Sequence, residues 1–126
     1  RLAPTLLSAS LEEGDARVLG SFRGKDIERM HVRHPFLERD SLLILAPYVT
    51  LDAGTGCVHT APGHGADDYE SGIRYGLDIY SPVDDHGCFT SDVEEFAGER
   101  VFDSNDRIIE LLRDRGVLVA SETIEH

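Results

Sequence analysis

Residues 54–69 constrain this chain more than any other stretch: Gly54-Thr55-Gly56-Cys57-Val58-His59-Thr60-Ala61-Pro62-Gly63-His64-Gly65-Ala66-Asp67-Asp68-Tyr69. A glycine-flanked turn leads into a short apolar strand, then a Pro-Gly loop, then two adjacent carboxylates that open a helix. Its several glycines let the backbone approach a ligand closely. Two histidines and two aspartates fall within the same few residues, and no other segment gathers polar chemistry in this way. A site in this chain is expected here.

The flanking pattern is one of short elements. Leu6, Leu7 and Leu11 predict a helix over residues 3–13 that stops at Gly14. Strands are expected over 18–22, over 41–46 as a buried apolar run, and over 48–52, where apolar and polar residues alternate. Pro35 biases His34 away from helix, so 34–37 is expected to be extended. A further strand spans 57–60. Tyr69, Ile73 and Leu77 recur every four residues and predict a helix over 67–77 with one apolar stripe facing the core. Residues 79–83 and 88–89 read as strands around an 84–87 turn, and 94–101 as an acidic loop of little information. The clearest helix is 104–115, with Ile108, Ile109, Leu111 and Leu112 on its apolar face and Gly116 beyond its end, followed by a strand over 117–120. Such alternation predicts one α+β domain over residues 1–126, with a curled, barrel-like sheet and short helices at its edges.

Charge and cysteine usage narrow the function classes. The chain of 126 residues carries 24 acidic against 12 basic side chains, a net charge of -12, which argues against a protein whose main task is gripping nucleic acid. Contact with a single nucleotide end stays compatible with it. No apolar run approaches the ~18 residues of a membrane span. Cys57 and Cys88 lie far apart without zinc-ligand spacing, and both are expected to be small buried hydrophobes in a reducing compartment.

The chemistry open to the central stretch follows from its residue types. A carboxylate in the first turn of a helix is held ionised by the dipole and the free N–H groups. Such an aspartate can hold an ammonium group through charge-assisted hydrogen bonds. A nearby strand histidine can shape the pocket, and the N–H groups of the loop can meet an ester oxygen or a phosphate. No nucleophilic serine motif, P-loop or dinucleotide fingerprint is present. His59, His64, Asp67 and Asp68 are metal-ligand types, which leaves a metal site as an alternative to a pocket for a small amino-bearing ligand.

Residues 49–56 followed by 58–65 and Asp67-Asp68-Tyr69 closely resemble the editing domain, or connective peptide 1, of bacterial-type isoleucyl-tRNA synthetases. His34-Pro35-Phe36, Tyr75-Gly76-Leu77, Pro82-Val83, Gly87, Val101-Phe102, Asn105-Asp106 and the following helix up to Gly116 extend the likeness over most of the chain. His-Thr-Ala-Pro-Gly-His-Gly is typical of the isoleucyl branch, whereas valyl and leucyl relatives carry a Pro-Ala-His-Asp version of the loop. The resemblance implies the barrel-like editing-domain fold of class I valyl, isoleucyl and leucyl enzymes. It also implies hydrolysis of valine wrongly esterified to the isoleucine tRNA, with the misformed valyl adenylate as a second substrate. One methylene is worth only ~1–3 kcal/mol in a hydrophobic pocket, so a second sieve has a physical motive. By the same resemblance Asp68 binds the substrate α-amino group, and His59 lines the pocket and excludes the larger, correct side chain. Thr60, Ala61 and His64 are substrate neighbours. The implied partners are the 3′ acceptor end of the mischarged tRNA, its valine moiety and the remainder of a larger cytoplasmic synthetase. ATP and magnesium belong to the catalytic domain of that parent, with no cofactor or metal in this one.

Two departures limit the likeness. The family's threonine-rich peptide is missing, and the sequence has no tryptophan. The His-Ile-Gly-His and Lys-Met-Ser-Lys-Ser signatures of aminoacylation are absent as well. The chain is therefore expected to be the C-terminal part of an editing domain. The alternatives are a non-catalytic structural or amino-acid-binding piece and the editing domain of a valyl or leucyl paralogue.

Overall fold

A computed structural model describes residues 19–50 and 56–121. The chain packs as two compact units, one of Arg1–His59 with Val117–His126 and the other of Thr60–Gly116.

In the first unit, a 3₁₀ turn at Gly24–Asp26 is closed at its start by Asp26, whose carboxylate accepts the Arg23 N–H at 2.9 Å. An antiparallel hairpin follows, β1 (His31–Arg33) paired with β2 (Asp40–Leu42), with Val32 opposite Ser41. Two further backbone bonds, Arg29 N–H to Leu43 O and Leu43 N–H to Met30 O, each 2.8 Å, extend the ladder past the strand ends. The expected strand over 41–46 thus survives only at its first two residues, and it is half-buried at Ser41 and Leu42 rather than buried.

Residues 34–37 are not extended. They begin the hairpin loop, and the reason lies in the His34 ring. Its Nδ1 accepts the N–H groups of Leu37 at 2.9 Å and Phe36 at 3.3 Å, which folds the chain back over itself. The Phe36 ring stands edge-on to the imidazole at 4.7 Å, and the His34 N–H donates to the Arg39 carbonyl at 2.9 Å. Proline keeps His34 out of a helix, as expected, but a side-chain acceptor decides what the segment does instead.

The second unit holds two helices, α1 (Ala66–Tyr75) and α2 (Asn105–Asp114). Both match the periodicity. At the end of α1 the Gly76 N–H reaches the Ile73 carbonyl at 3.3 Å and the Leu77 N–H the Gly72 carbonyl at 2.9 Å. That pair of bonds needs Gly76 in the left-handed region, at φ 69°. The buried side of α1 is small, however. Ser71 and Gly72 are buried, while Tyr69 and Ile73 of the expected apolar stripe are 48% and 60% exposed. Close packing explains the choice: a Cβ on Gly72 would come within 2.8 Å of the Pro62 ring, so only glycine lets the loop lie on the helix there.

The buried apolar side chains described in this unit, Val93 and Phe96, fall in the acidic stretch that the sequence left uninformative. A 3₁₀ turn at Glu94–Phe96 inserts Phe96, 2% exposed, beside Phe89 at a ring separation of 5.9 Å, with Val93 also buried. From α2, the Arg107 guanidinium lies 5.1 Å from the centre of the Phe96 ring, forms an ion pair with Glu99, and donates to the Glu95 carbonyl at 3.3 Å. Arg115 adds a 3.2 Å pair to Glu95. Ser104, fully buried ahead of α2, directs its hydroxyl toward Glu99 at 3.1 Å and the Arg100 carbonyl at 3.0 Å.

Among the described residues the fold is α+β, but its sheet is a two-stranded hairpin and does not curl into a barrel. The expected strands over 79–83 and 88–89 reduce to single bridges, Val83 with Phe89 and Cys88 with Arg100. Residues 19–22, 49–50, 57–60 and 117–120 have no regular structure. The expected helix over 3–13 and residue 18, 51 and 52 of the expected strands lie outside the described residues. Turns meet much of the backbone hydrogen bonding that ladders would otherwise supply. The 84–87 turn is one of them and forms as expected, with the Asp84 carboxylate accepting the His86 and Cys88 N–H groups at 2.9 Å. Cys57 is exposed and Cys88 half-buried, so neither is the buried hydrophobe expected, and neither forms a disulfide.

Candidate functional site

The loop and the start of α1 bring Thr60, Ala61, His64 and Asp68 into one unit. A turn over 61–64 is closed by the His64 N–H donating to the Ala61 carbonyl at 2.9 Å. Gly65 then provides the extended residue ahead of the helix, and Asp68 is the third helical position. From there its half-buried carboxylate reaches back over the loop and accepts the Ala61 N–H through Oδ2 at 3.0 Å. Asp67, one residue earlier, is exposed.

This bond changes the reading of the loop. Two of its N–H groups, those of Ala61 and His64, already have acceptors within the protein, so they are not waiting for an ester oxygen or phosphate. Asp68 in turn is fixed in orientation by the loop as well as by the helix. A carboxylate held by a backbone donor at a helix N-terminus is an anionic group with a defined direction, which suits it to receive a cation or ammonium.

Two residues outside the predicted set complete the surroundings. The Ser81 hydroxyl lies 3.3 Å from His64 Nε2. The preceding Tyr80 carbonyl sits so close to Gly63 that a Cβ there would fall 2.4 Å from its oxygen. The segment after α1 therefore packs against the loop and orients His64. Sequence reasoning missed both, because residues 79–83 were read as a strand; the only local signal is the Ser81-Pro82 break.

His59 belongs to the other unit, where it is exposed. Its influence there is electrostatic. Burial lowers the pKa of His34 below the usual histidine value, and the positive charge of Arg39 and that of His59 lower it further. The Nδ1 contacts require the same outcome, since an Nδ1 that accepts two N–H groups must be unprotonated. Among the described residues, no group of three or more His, Cys, Asp or Glu side chains is placed to hold a metal ion. No described helix is long and apolar enough to cross a membrane.

No family model matches the chain. Among individual proteins, it is 48% identical to an isoleucine–tRNA ligase of Halorhodospira halophila, 49% to one of Syntrophomonas wolfei and 45% to one of Petrotoga mobilis. Each alignment covers 99% of this chain and 14% of the relative. Over nearly its whole length, then, the chain is similar to isoleucine–tRNA ligases, and it spans about one-seventh of the length of those relatives.

Proposed function

We propose that this chain is the C-terminal part of the editing domain of an isoleucine–tRNA ligase, and that in the parent enzyme it hydrolyses valine mischarged onto the isoleucine tRNA. The observation that carries the reading is the coincidence of two things. The chain is similar over 99% of its length to isoleucine–tRNA ligases. It also presents an oriented carboxylate, Asp68, at the N-terminus of a helix beside a glycine-rich loop. In this reading Asp68 binds the α-amino group of the misplaced residue, His59 walls the pocket against isoleucine, and Thr60, Ala61 and His64 are substrate neighbours. Water attacks the ester with help from the terminal ribose of the tRNA, so no protein nucleophile is required. The parent works in the cytoplasm and uses ATP and magnesium in its own catalytic domain; no residue here is assigned to either.

A second reading is that of a structural or amino-acid-binding piece without hydrolytic activity, and it is favoured by the loop N–H groups of Ala61 and His64, which already have acceptors within the protein. The test uses the full-length ligase with His59→Ala and both aminoacyl-tRNAs as substrates. Loss of the wall should admit isoleucine, so deacylation of the correctly charged tRNA should rise by about tenfold or more, the value of roughly one methylene of discrimination. Unchanged rejection of isoleucine would remove His59 from the pocket.

A further inference from the structure

With two loop N–H groups closed within the protein, the ester end of a bound substrate has to be met by something else. In an aminoacyl ester the α-amino group and the ester carbonyl flank one carbon atom, so an amine held at Asp68 keeps the carbonyl oxygen within a few bond lengths of that anchor. The Ala61 N–H donates to Asp68 at 3.0 Å and the His64 N–H to the Ala61 carbonyl at 2.9 Å, so neither is offered to that oxygen. The His64 side chain is different. Its residue is exposed, Nε2 lies 3.3 Å from the Ser81 hydroxyl, and Nδ1 has no hydrogen-bond partner among the described residues.

We propose that His64 is a catalytic residue of the editing reaction, donating from Nδ1–H to the ester carbonyl oxygen, and that Ser81 is the positioning residue that makes it a donor. The inference rests on the function proposed above. A neutral imidazole carries one N–H, and the hydrogen bond at one nitrogen decides which of the two holds the proton. A Ser81 hydroxyl that donates to Nε2 leaves the proton on Nδ1. Backbone packing supports the pairing of these two exposed side chains. One residue earlier on each segment, a Cβ on Gly63 would fall 2.4 Å from the Tyr80 oxygen and 3.2 Å from Ser81 Cβ. The backbones therefore bring Ser81 beside the loop before its hydroxyl bonds, which lowers the cost of ordering the ring. The loop also links the two functional groups: Asp68 holds the Ala61 N–H, the Ala61 carbonyl holds the His64 N–H, and Ser81 holds the His64 ring. Anchor and donor are thus tied through Ala61, the kind of fixed arrangement that stabilising a developing charge requires. In the step itself, water forms the new bond to the ester carbon and the bond from that carbon to the ribose oxygen breaks. One water proton ends on the ribose oxygen and the other on the released carboxyl group, which then ionises. Nδ1–H keeps its proton and stabilises the negative charge that gathers on the carbonyl oxygen.

The experiment measures kcat and KM for deacylation of valyl-tRNA by the full-length ligase. His64→Ala should lower kcat by about 100-fold, the effect of removing one such donor, with KM nearly unchanged because the bond is made in the transition state. Ser81→Ala should lower kcat about fivefold, and Ser81→Thr, which keeps the hydroxyl, should recover most of that loss. In the His64→Ala background Ser81→Ala should add nothing, since the ring it holds is gone. A readout without turnover is the nitrogen-15 shift of the neutral His64 ring in the 126-residue chain. It should place the proton on Nδ1, and that preference should be lost in Ser81→Ala. Intact kcat in His64→Ala, a full Ser81→Ala effect in the double variant, or a ring protonated at Nε2 in the unsubstituted chain would each overturn the proposal. Each of these results leaves the editing assignment standing, provided that the unsubstituted ligase deacylates valyl-tRNA. If it does not, the editing assignment fails and this proposal fails with it, so the unsubstituted enzyme tells the two failures apart.

Discussion

Asp68 has two tasks in this account, and replacing it by asparagine separates them. Its carboxylate accepts the Ala61 N–H at 3.0 Å. A hydrogen bond to a charged group contributes about 1.5–3 kcal/mol net, roughly twice a neutral one. Asparagine keeps an acceptor at the same reach and forfeits the charge, including its favourable position in the first turn of α1, for about 1 kcal/mol. Alanine leaves the Ala61 N–H without that acceptor in a half-buried loop and costs about 2 kcal/mol. Amide exchange at Ala61 should accordingly speed up about fivefold in Asp68→Asn and about thirtyfold in Asp68→Ala, if opening of the loop controls exchange. Holding an ammonium group is different, because it depends on the charge itself. Removing one partner of a hydrogen-bonded charge pair costs about 2–5 kcal/mol, so in the full-length ligase both variants should lose about 30-fold or more in deacylation of valyl-tRNA, to a similar degree. A variant that is nearly intact in structure and as defective as the alanine form identifies the amine anchor. If Asp68→Asn deacylates like the unsubstituted enzyme, or if activity merely tracks loop stability through the series, Asp68 is a structural tie and the assignment is wrong.

Two further perturbations test the surroundings of this carboxylate and of the hairpin. Gly63→Ala places a Cβ 2.4 Å from the Tyr80 oxygen, and since backbone must retreat, a loss of about 2–3 kcal/mol is expected in chemical unfolding. Gly20→Ala, with nothing within 4 Å, should be neutral, and equal behaviour of the two would contradict the close approach. His34 gives a pH dependence with a defined sign. Its folded pKa is lowered by burial, by Arg39 and by His59, so just below the ordinary histidine value the unfolded chain binds more protons than the folded one. The hairpin loop is then fully stable above that value, loses stability as pH falls through it, and levels off below the folded pKa. Exchange at the Phe36 and Leu37 amides, followed from about pH 8 to about pH 5 and corrected for intrinsic rates, should show this loss. His34→Ala should abolish it, and a flat profile in the unsubstituted chain would count against a neutral His34 acceptor.

The parts of this fold that were legible in the sequence are those whose causes are local. α1 and α2 declare themselves through four-residue spacing, and Gly76 and Gly116 through the left-handed ends they permit, at φ 69° and 66°. The Asp84 turn is equally local, an aspartate accepting N–H groups two and four residues on. Strands fail by the opposite argument. An apolar run such as 41–46 carries no information on whether a partner exists along its length, and here the partner ends after three residues. Phe96 was illegible because a single aromatic on a 3₁₀ turn has no period to detect. At the candidate site the position of Asp68 in the first helical turn was readable from the chain. The Ala61 N–H that aims it and the Tyr80 carbonyl that crowds Gly63 were not, since each depends on how the loop closes in three dimensions.

The contacts at Gly63 and Gly72 have a consequence for how this sequence can change. At each, the first carbon of any side chain would collide with atoms of another segment, the Tyr80 carbonyl in one case and the Pro62 ring in the other. The collision is the same for every residue larger than glycine, so no choice of polarity or size relieves it. An exposed neighbour such as Asp67 meets no such barrier, while the two positions that carry no chemistry stay locked until Pro62 or the Tyr80 segment moves first.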